Sequence, residues 1–337
     1  MQYPHGIILE QSRRRNFYRG ENKIYPESVP TLLRTLDKYH NYQDKELYRL
    51  VADMRIGEFK ILLQKFKHVK EWKYCDILFD ALAQHYGLET GWLDITSDFK
   101  IALFFATCYY DSGEKKWLPL TKKQTEWKPS SIFDTEHGMI FHMPSNLMAN
   151  RWLLENYRFS SITSEVVGSG EDDLCNRNIV YDFPPFNGQV PNLIYPLGFQ
   201  PFMRCHMQDG YGIFMRTKQP LQQDEFFEKL RFKHNEKLSR EVYEMMGEGN
   251  LIYPHEGLKE IEFLIDEISN TYIFSEDAFQ YALYRSHAFK LSDSERCRQE
   301  LNKFEIKGNK IKIVDSHSWH LSSGRRKKLI VYMQIFQ

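Results

Sequence analysis

Nowhere does this sequence stay apolar for the roughly 18–20 residues that a membrane-crossing helix needs, so no membrane-spanning segment is expected. Neither sign of charge is in excess, since 45 Lys and Arg face 45 Asp and Glu. There is then no global field to draw the chain toward nucleic acid or an anionic membrane, although local patches remain open. Cysteine is scarce. Its five positions, Cys75, Cys108, Cys175, Cys205 and Cys297, are odd in number and far apart. They match neither a zinc-ligand spacing nor a disulfide framework, so no metal is expected and a reducing cytoplasm is the expected compartment. Residues 1–16 lack the apolar stretch of a signal peptide. Internal repeats and long low-complexity tracts are missing too.

What is present is enough chain, at 337 residues, for one large domain or two moderate ones. The aromatic share of 15% is high, but without a basic excess it reads as packing rather than as a nucleic-acid stacking platform. Phe17 to Asn22 reads as a short strand ending in a turn, with Gly20 letting backbone come close. Thr31–Tyr39 is helix-like. Leu47, Leu50, Val51 and Met54 fall at helical spacing and predict a longer helix. The polar stretch from Asp111 to Glu136 reads as a surface insertion, and Gly138–Met143 as a strand stopped by Pro144. The region from Ser160 to Asn178 is rich in Ser, Gly, Asp and Glu and predicts a loop. Phe202–Arg216 alternates like a hairpin about Asp209-Gly210. Glu260–Ile268 reads as helix, and Lys310–Val314 and Leu329–Phe336 as β.

The most informative stretch runs from Gln84 to Ser97 and on into Ala102–Ala106. It predicts a polar loop held between two apolar helices, the first with Ile77, Leu78, Ala81 and Leu82, the second with Phe99, Ala102, Leu103 and Ala106. Rigidly held loops often carry functional groups. His85 has two readings, a base or a favourable partner for a helix C-terminus. Asp94 lies between apolar neighbours and would need a partner if buried. Thr96 and Ser97 read either as helix caps or as ligand-facing hydroxyls at a helix start that offers free N–H groups. Arg19 can grip phosphate or carboxylate, or it can pair with Glu21 or Asp94. Strand alternation would place Arg204, His206 and Gln208 on one face, as a ligand wall or as an exposed edge. His317 and His320 lack a third metal ligand. Arg13–Arg15 and Arg325–Lys328 read as solvated charge.

Several of these residues fall in a familiar order. Tyr18-Arg19-Gly20, Pro30 to Arg34, Gln84-His85-Tyr86-Gly87, Leu93-Asp94-Ile95-Thr96 with Ala102–Ala106, Arg204–Gln208 with Gly212 and Phe214, and Tyr253–Leu258 together resemble the FRG (Phe-Arg-Gly) domain family over residues 13–268. Residues 1–12 then form an N-terminal segment, and 269–337 an α/β extension packed on the core. The sequence departs from that pattern at Glu89, where proline is usual, and at Gly91-Trp92, where Arg-Leu is common.

The implied fold is α+β, a mixed or antiparallel sheet with packed helices. Its layout also resembles ADP-ribosyltransferase-like cores. By that resemblance NAD would be the co-substrate, with Arg19, Gln84, Thr96, Ser97 and Arg204 binding it. Gln208, His85 and Asp94 would stand at the catalytic positions, and a protein or nucleic acid would accept the ADP-ribose. Gln208 cannot supply the negative charge of a carboxylate. Two readings follow: an NAD-using ADP-ribosyltransferase or NAD glycohydrolase in a bacterial or phage defence or toxin setting, and a non-catalytic module that binds a nucleotide, a nucleic acid or a partner protein.

Overall fold

Among the described residues, eight strands come first in chain order. They are β1 (Phe17–Glu21), β2 (Trp92–Thr96), β3 (Cys108–Asp111), β4 (Lys116–Pro119), β5 (His137–Met143), β6 (Leu193–Pro196), β7 (Gly210–Phe214) and β8 (Glu228–Lys233). The computed structural model describes residues 16–65, 69, 77–126, 132–144, 193–196, 203–215, 218–224, 227–254, 258, 261–286, 288–289 and 293–315. The chain divides into two compact units. One comprises Met1–Val29, Leu93–Gly168 and Gln189–Glu256, and the other Pro30–Trp92, Ser169–Gly188 and Gly257–Gln337.

The first unit holds a six-stranded sheet in the order β6-β7-β2-β1-β5-β8. The pairings of β1 with β2 and β5, of β5 with β8, and of β6 with β7 are antiparallel. With the helices around it, this is an α+β fold. The Phe99–Thr107 helix lies directly on β1, because Gly20 has no side chain: a Cβ there would sit 1.7 Å from the Ala102 carbonyl oxygen. Ile101, Phe104 and Cys108 then bury against Val242, Met246 and Ile252, with Val242 from the Glu236–Met245 helix and Met246 from its C-cap.

Two sequence expectations are corrected here. The stretch Gln84–Ser97 is not all loop, because Trp92–Thr96 forms β2 near the middle of the sheet. Trp92, Leu93 and Ile95 are all buried, and a short, nearly continuous apolar run is what a central strand carries. The segment Arg204–Gln208 is not a strand either. Met203–Met207 is one helical turn, with the Gln208 N–H donating to the Arg204 carbonyl, and Asp209 at φ 39° ends it before β7 begins. Helical geometry puts Arg204 and Gln208 on one buried face and leaves His206 exposed, so alternation was the wrong period there.

The expected insertion after Asp111 is built in part as the β3–β4 hairpin. There Trp117 pairs across from Tyr110 and packs 5.3 Å from Phe104, ring centre to ring centre. The expected strand at Gly138–Met143 is β5. The segments 160–178 and 329–336, His317, His320, Arg13–Arg15 and Arg325–Lys328 lie outside the described residues.

The second unit is mainly helical. Its longest helix, Tyr42–Leu63, starts under an Asn41 cap whose side chain accepts the Asp44 N–H. The apolar positions Leu47, Leu50, Val51 and Met54 are buried as their spacing predicts. Gly57 allows the Glu276–Arg285 helix to cross closely, since a Cβ at Gly57 would lie 3.0 Å from Ala278 Cα. Strand β9 (Ile273–Ser275) is followed by a tight pair, β10 (Glu305–Ile306) with β11 (Asn309–Lys310), and by β12 (Lys312–Val314), which runs parallel to β9. The Glu262–Ser269 helix appears where helix was expected. No helix among the described residues is long and apolar enough to cross a membrane.

Candidate functional site

Strand register decides which of the singled-out residues can meet. Tyr18 on β1 stands opposite Thr96 on β2, so the two side chains share a face. Gly20 is on that face as well, which is the face covered by the Phe99–Thr107 helix. Arg19, one residue along, projects to the opposite face together with Glu21.

Arg19 is engaged there. Its Nε donates to Glu21 Oε1 at 2.9 Å, and its Nη1 donates to the Asp94 backbone carbonyl at 2.7 Å. Glu21 is buried and accepts a second hydrogen bond from Ser28 Oγ at 2.8 Å. Ser28 in turn accepts from the Gln222 amide at 2.8 Å. A buried carboxylate must be paired, and Arg19 and Ser28 satisfy Glu21. Of the two sequence readings of Arg19, pairing with Glu21 is the one the geometry displays.

The helix-covered face gathers Asp94, Thr96, Ser97, Arg204, Gln208 and Asp209. Thr96 Oγ1 donates to the Gln208 carbonyl at 2.8 Å and accepts the Asp98 N–H at 3.0 Å. Asp98, rather than Thr96 or Ser97, caps the Phe99–Thr107 helix, accepting the Lys100 N–H at 2.8 Å. Ser97 Oγ bonds the Asp209 carboxylate, and the Ser97 N–H donates to the Asp209 carbonyl at 3.3 Å. These contacts fasten the end of β2 to the turn that precedes β7.

Beside this fastening lies a compact polar group. Arg204, 6% exposed, places its guanidinium carbon 4.8 Å from the centre of the Tyr253 ring. Gln208 Nε2 donates to the Ile252 carbonyl at 3.3 Å. Burial pushes the Tyr253 hydroxyl up to about 12; Arg204 opposes that shift, Asp94 adds to it, and a hydrogen bond from Gln208 opposes it. Burial likewise raises the Cys205 thiol, with Asp94 adding to the rise, so this cysteine is a neutral thiol rather than a nucleophile near pH 7. Asp94 is thus the carboxylate whose charge is felt at both Tyr253 and Cys205.

On its other side Tyr253 stacks on Trp117, with ring centres 5.2 Å apart and planes inclined 30°. Phe105 and Tyr110 edge onto the same indole at 5.4 and 5.8 Å. The indole Nε1 is buried and makes no hydrogen bond among the described residues. Trp117 and Asp209 were not singled out from sequence. The Asp209-Gly210 turn signal marked the place of the second, and nothing local marked the first.

Gln84 and His85 belong to the other unit. Gln84 Oε1 accepts from Thr90 Oγ1 at 2.6 Å, and Thr90 Oγ1 accepts the Trp92 N–H at 3.1 Å, so Gln84 braces the chain entering β2. His85 closes the Ile77–His85 helix, which Gly87 terminates at φ 85°. Glu89, the departure from proline, accepts from Thr35 Oγ1 at 2.7 Å and from the Tyr48 hydroxyl.

Comparison with known families decides one point. Residues 14–115 match the FRG domain. The matched segment carries Arg19, Gly20, Gln84–Gly87, Asp94, Thr96 and the Phe99–Thr107 helix, and it stops before Arg204, Gln208 and Tyr253. The polar group on the helix-covered face is therefore assembled from FRG-domain residues and later ones. No curated protein and no solved structure is detectably similar to the chain. No cluster of three metal-ligating side chains occurs among the described residues.

Proposed function

We propose that the sheet unit binds a nucleotide, with NAD as first candidate, against the Asp94–Arg204–Gln208–Tyr253 group. The observation that carries this reading is the buried Arg204 guanidinium stacked on Tyr253 beside a carboxylate and a Tyr253–Trp117 ring pair. A guanidinium suits a phosphate oxygen, aromatic faces suit a base, and an indole N–H suits a ring acceptor. Arg19 pairs with Glu21 on the opposite face of the sheet from this group, and Arg204 takes the phosphate role in this reading.

Turnover is the second reading, and it rests on Asp94. Breaking the C1′–nicotinamide bond sends the electron pair to the ring nitrogen and leaves positive charge on the ribose. A carboxylate stabilises that charge and takes the proton from the water or acceptor hydroxyl that adds to C1′. The Gln208 amide can do neither. ADP-ribosyl transfer or NAD hydrolysis by this chain would then run through Asp94, and without turnover the unit remains a nucleotide-recognition module.

Thermal unfolding of the full chain with NAD, ADP-ribose, ATP or nicotinamide checks both readings, because a ligand that favours the folded state raises Tm by mass action. NAD or ADP-ribose is expected to raise it, and chromatography is expected to show nicotinamide released from NAD. Asp94→Asn is expected to keep the NAD-dependent rise and lose the release. A shift without release leaves binding alone. A folded protein whose Tm ignores every nucleotide at about millimolar concentration overturns the proposal.

A further inference from the structure

We propose that Arg55 anchors an oxyanion-binding site in the helical unit, taking a singly charged carboxylate or phosphate group. Arg55 projects from the Tyr42–Leu63 helix and is 6% exposed. One of its bonds is long, from Nη2 to the Thr271 carbonyl at 3.3 Å. The Tyr48 hydroxyl, which donates to Glu89, is also within hydrogen-bonding range of the guanidinium. Nε is buried, and among the described residues it has no hydrogen-bond partner and no carboxylate forms an ion pair with this guanidinium.

A permanently charged group is costly to bury unless charge and hydrogen bonds compensate it. Elsewhere in the same unit the rule is kept. Arg285, equally buried, binds the Asp80 carboxylate through Nη1 and Nη2 and has Asp53 at 3.6 Å. Arg55 departs from it. Glu89, which accepts from Thr35 Oγ1 and from the Tyr48 hydroxyl, offers partial compensation through Tyr48, but among the described residues it makes no direct bond to the guanidinium.

What the remaining donors fit is a planar oxygen pair, which guanidinium groups bind in a fork. The surroundings suit a small ligand. The Tyr272 ring centre lies 5.9 Å from the guanidinium carbon, Tyr39 packs 5.1 Å from Tyr48, and Tyr39 and Tyr272 are both half-buried. Partial compensation by Glu89 favours one negative charge over two. This site lies in a different unit from the proposed nucleotide group and does not depend on it.

The test is thermal unfolding of the full chain in chloride, acetate and phosphate at one pH and one ionic strength. Acetate or phosphate is expected to raise Tm over chloride by about 3 °C or more, and the two arms distinguish a carboxylate ligand from a phosphate one. Arg55→Met is expected to abolish the rise. Glu89→Gln keeps Arg55 but removes the partial counter-charge, and is expected to enlarge it. No rise in the wild type overturns the proposal. An equal rise in Arg55→Met would mark a bulk-salt effect and also overturn it. If Arg55→Met does not fold, a Glu89→Gln rise no larger than the wild type's has the same force.

Discussion

Gly20 and Arg19 are adjacent and do unrelated work. Gly20 lets a helix touch a strand, while Arg19 neutralises a buried glutamate on the other side of the sheet. Gly20→Ala would force a methyl group against the Ala102 carbonyl at 1.7 Å, with the Ala106 backbone nitrogen at 2.9 Å. Both neighbours are backbone and cannot swing aside, so the loss of stability is expected to be about 3 kcal/mol or more. Denaturant unfolding measures it, and a variant as stable as the wild type would mean that the helix can ride higher on β1. At this scale the residue types were legible in sequence and several roles were not. Arg19 was rightly read as able to pair with Glu21. Gly20 was rightly read as letting backbone come close, but it does so in the body of a strand, and the helix it accommodates is made far along the chain.

Between elements, the Tyr42–Leu63, Ile77–His85 and Glu276–Arg285 helices share one buried guanidinium. Arg285 binds Asp80 and the Tyr281 hydroxyl, and Asp53 approaches its Nε at 3.6 Å. Asp53 also faces Arg49 and Glu46 on its own helix. Burial pushes its carboxyl up from 3.8 to about 6; Arg285 opposes the shift and Asp80 adds to it. A carboxyl raised on folding stabilises most below its unfolded value, and that contribution is lost as pH rises through about 6. Over this window the loss is about 3 kcal/mol at most. Asp53→Asn is expected to flatten the difference between unfolding free energies measured near about pH 4 and about pH 7. Parallel pH profiles for wild type and variant would sink this account.

Element assignment from sequence succeeded where periodicity ran long. Tyr42–Leu63 and β5 came out as read. It failed at Arg204–Gln208, where one helical turn carries too few residues to distinguish a period of 3.6 from one of 2. It failed again at Trp92–Thr96, where flanking polar residues disguised a central strand as loop.

For the molecule as a whole, the FRG match and the physical units do not share boundaries. Residues 14–115 contain β1, β2 and β3 but not β5, β7 or β8, and they include part of the helical unit without its Glu276–Arg285 partner helix. A chain cut to 14–115 would leave β1 without β5 on one side and β2 without β7 on the other. It is expected to lack a cooperative thermal transition by circular dichroism, and a sharp transition would show that this segment folds alone. The family resemblance was legible because short motifs survive in sequence. The interleaving of the units was not, because it depends on pairings between distant segments.

That interleaving also has a consequence in time. The Phe17–Met143 pairing of β1 with β5 spans more than a hundred residues, and the Gly57–Ala278 crossing spans more than two hundred. During synthesis the apolar flank of the Tyr42–Leu63 helix emerges long before the helix that will cover it, and β1 before either of its neighbours. Neither unit can close early, so this polypeptide must stay soluble through most of its own translation with its future interior uncovered.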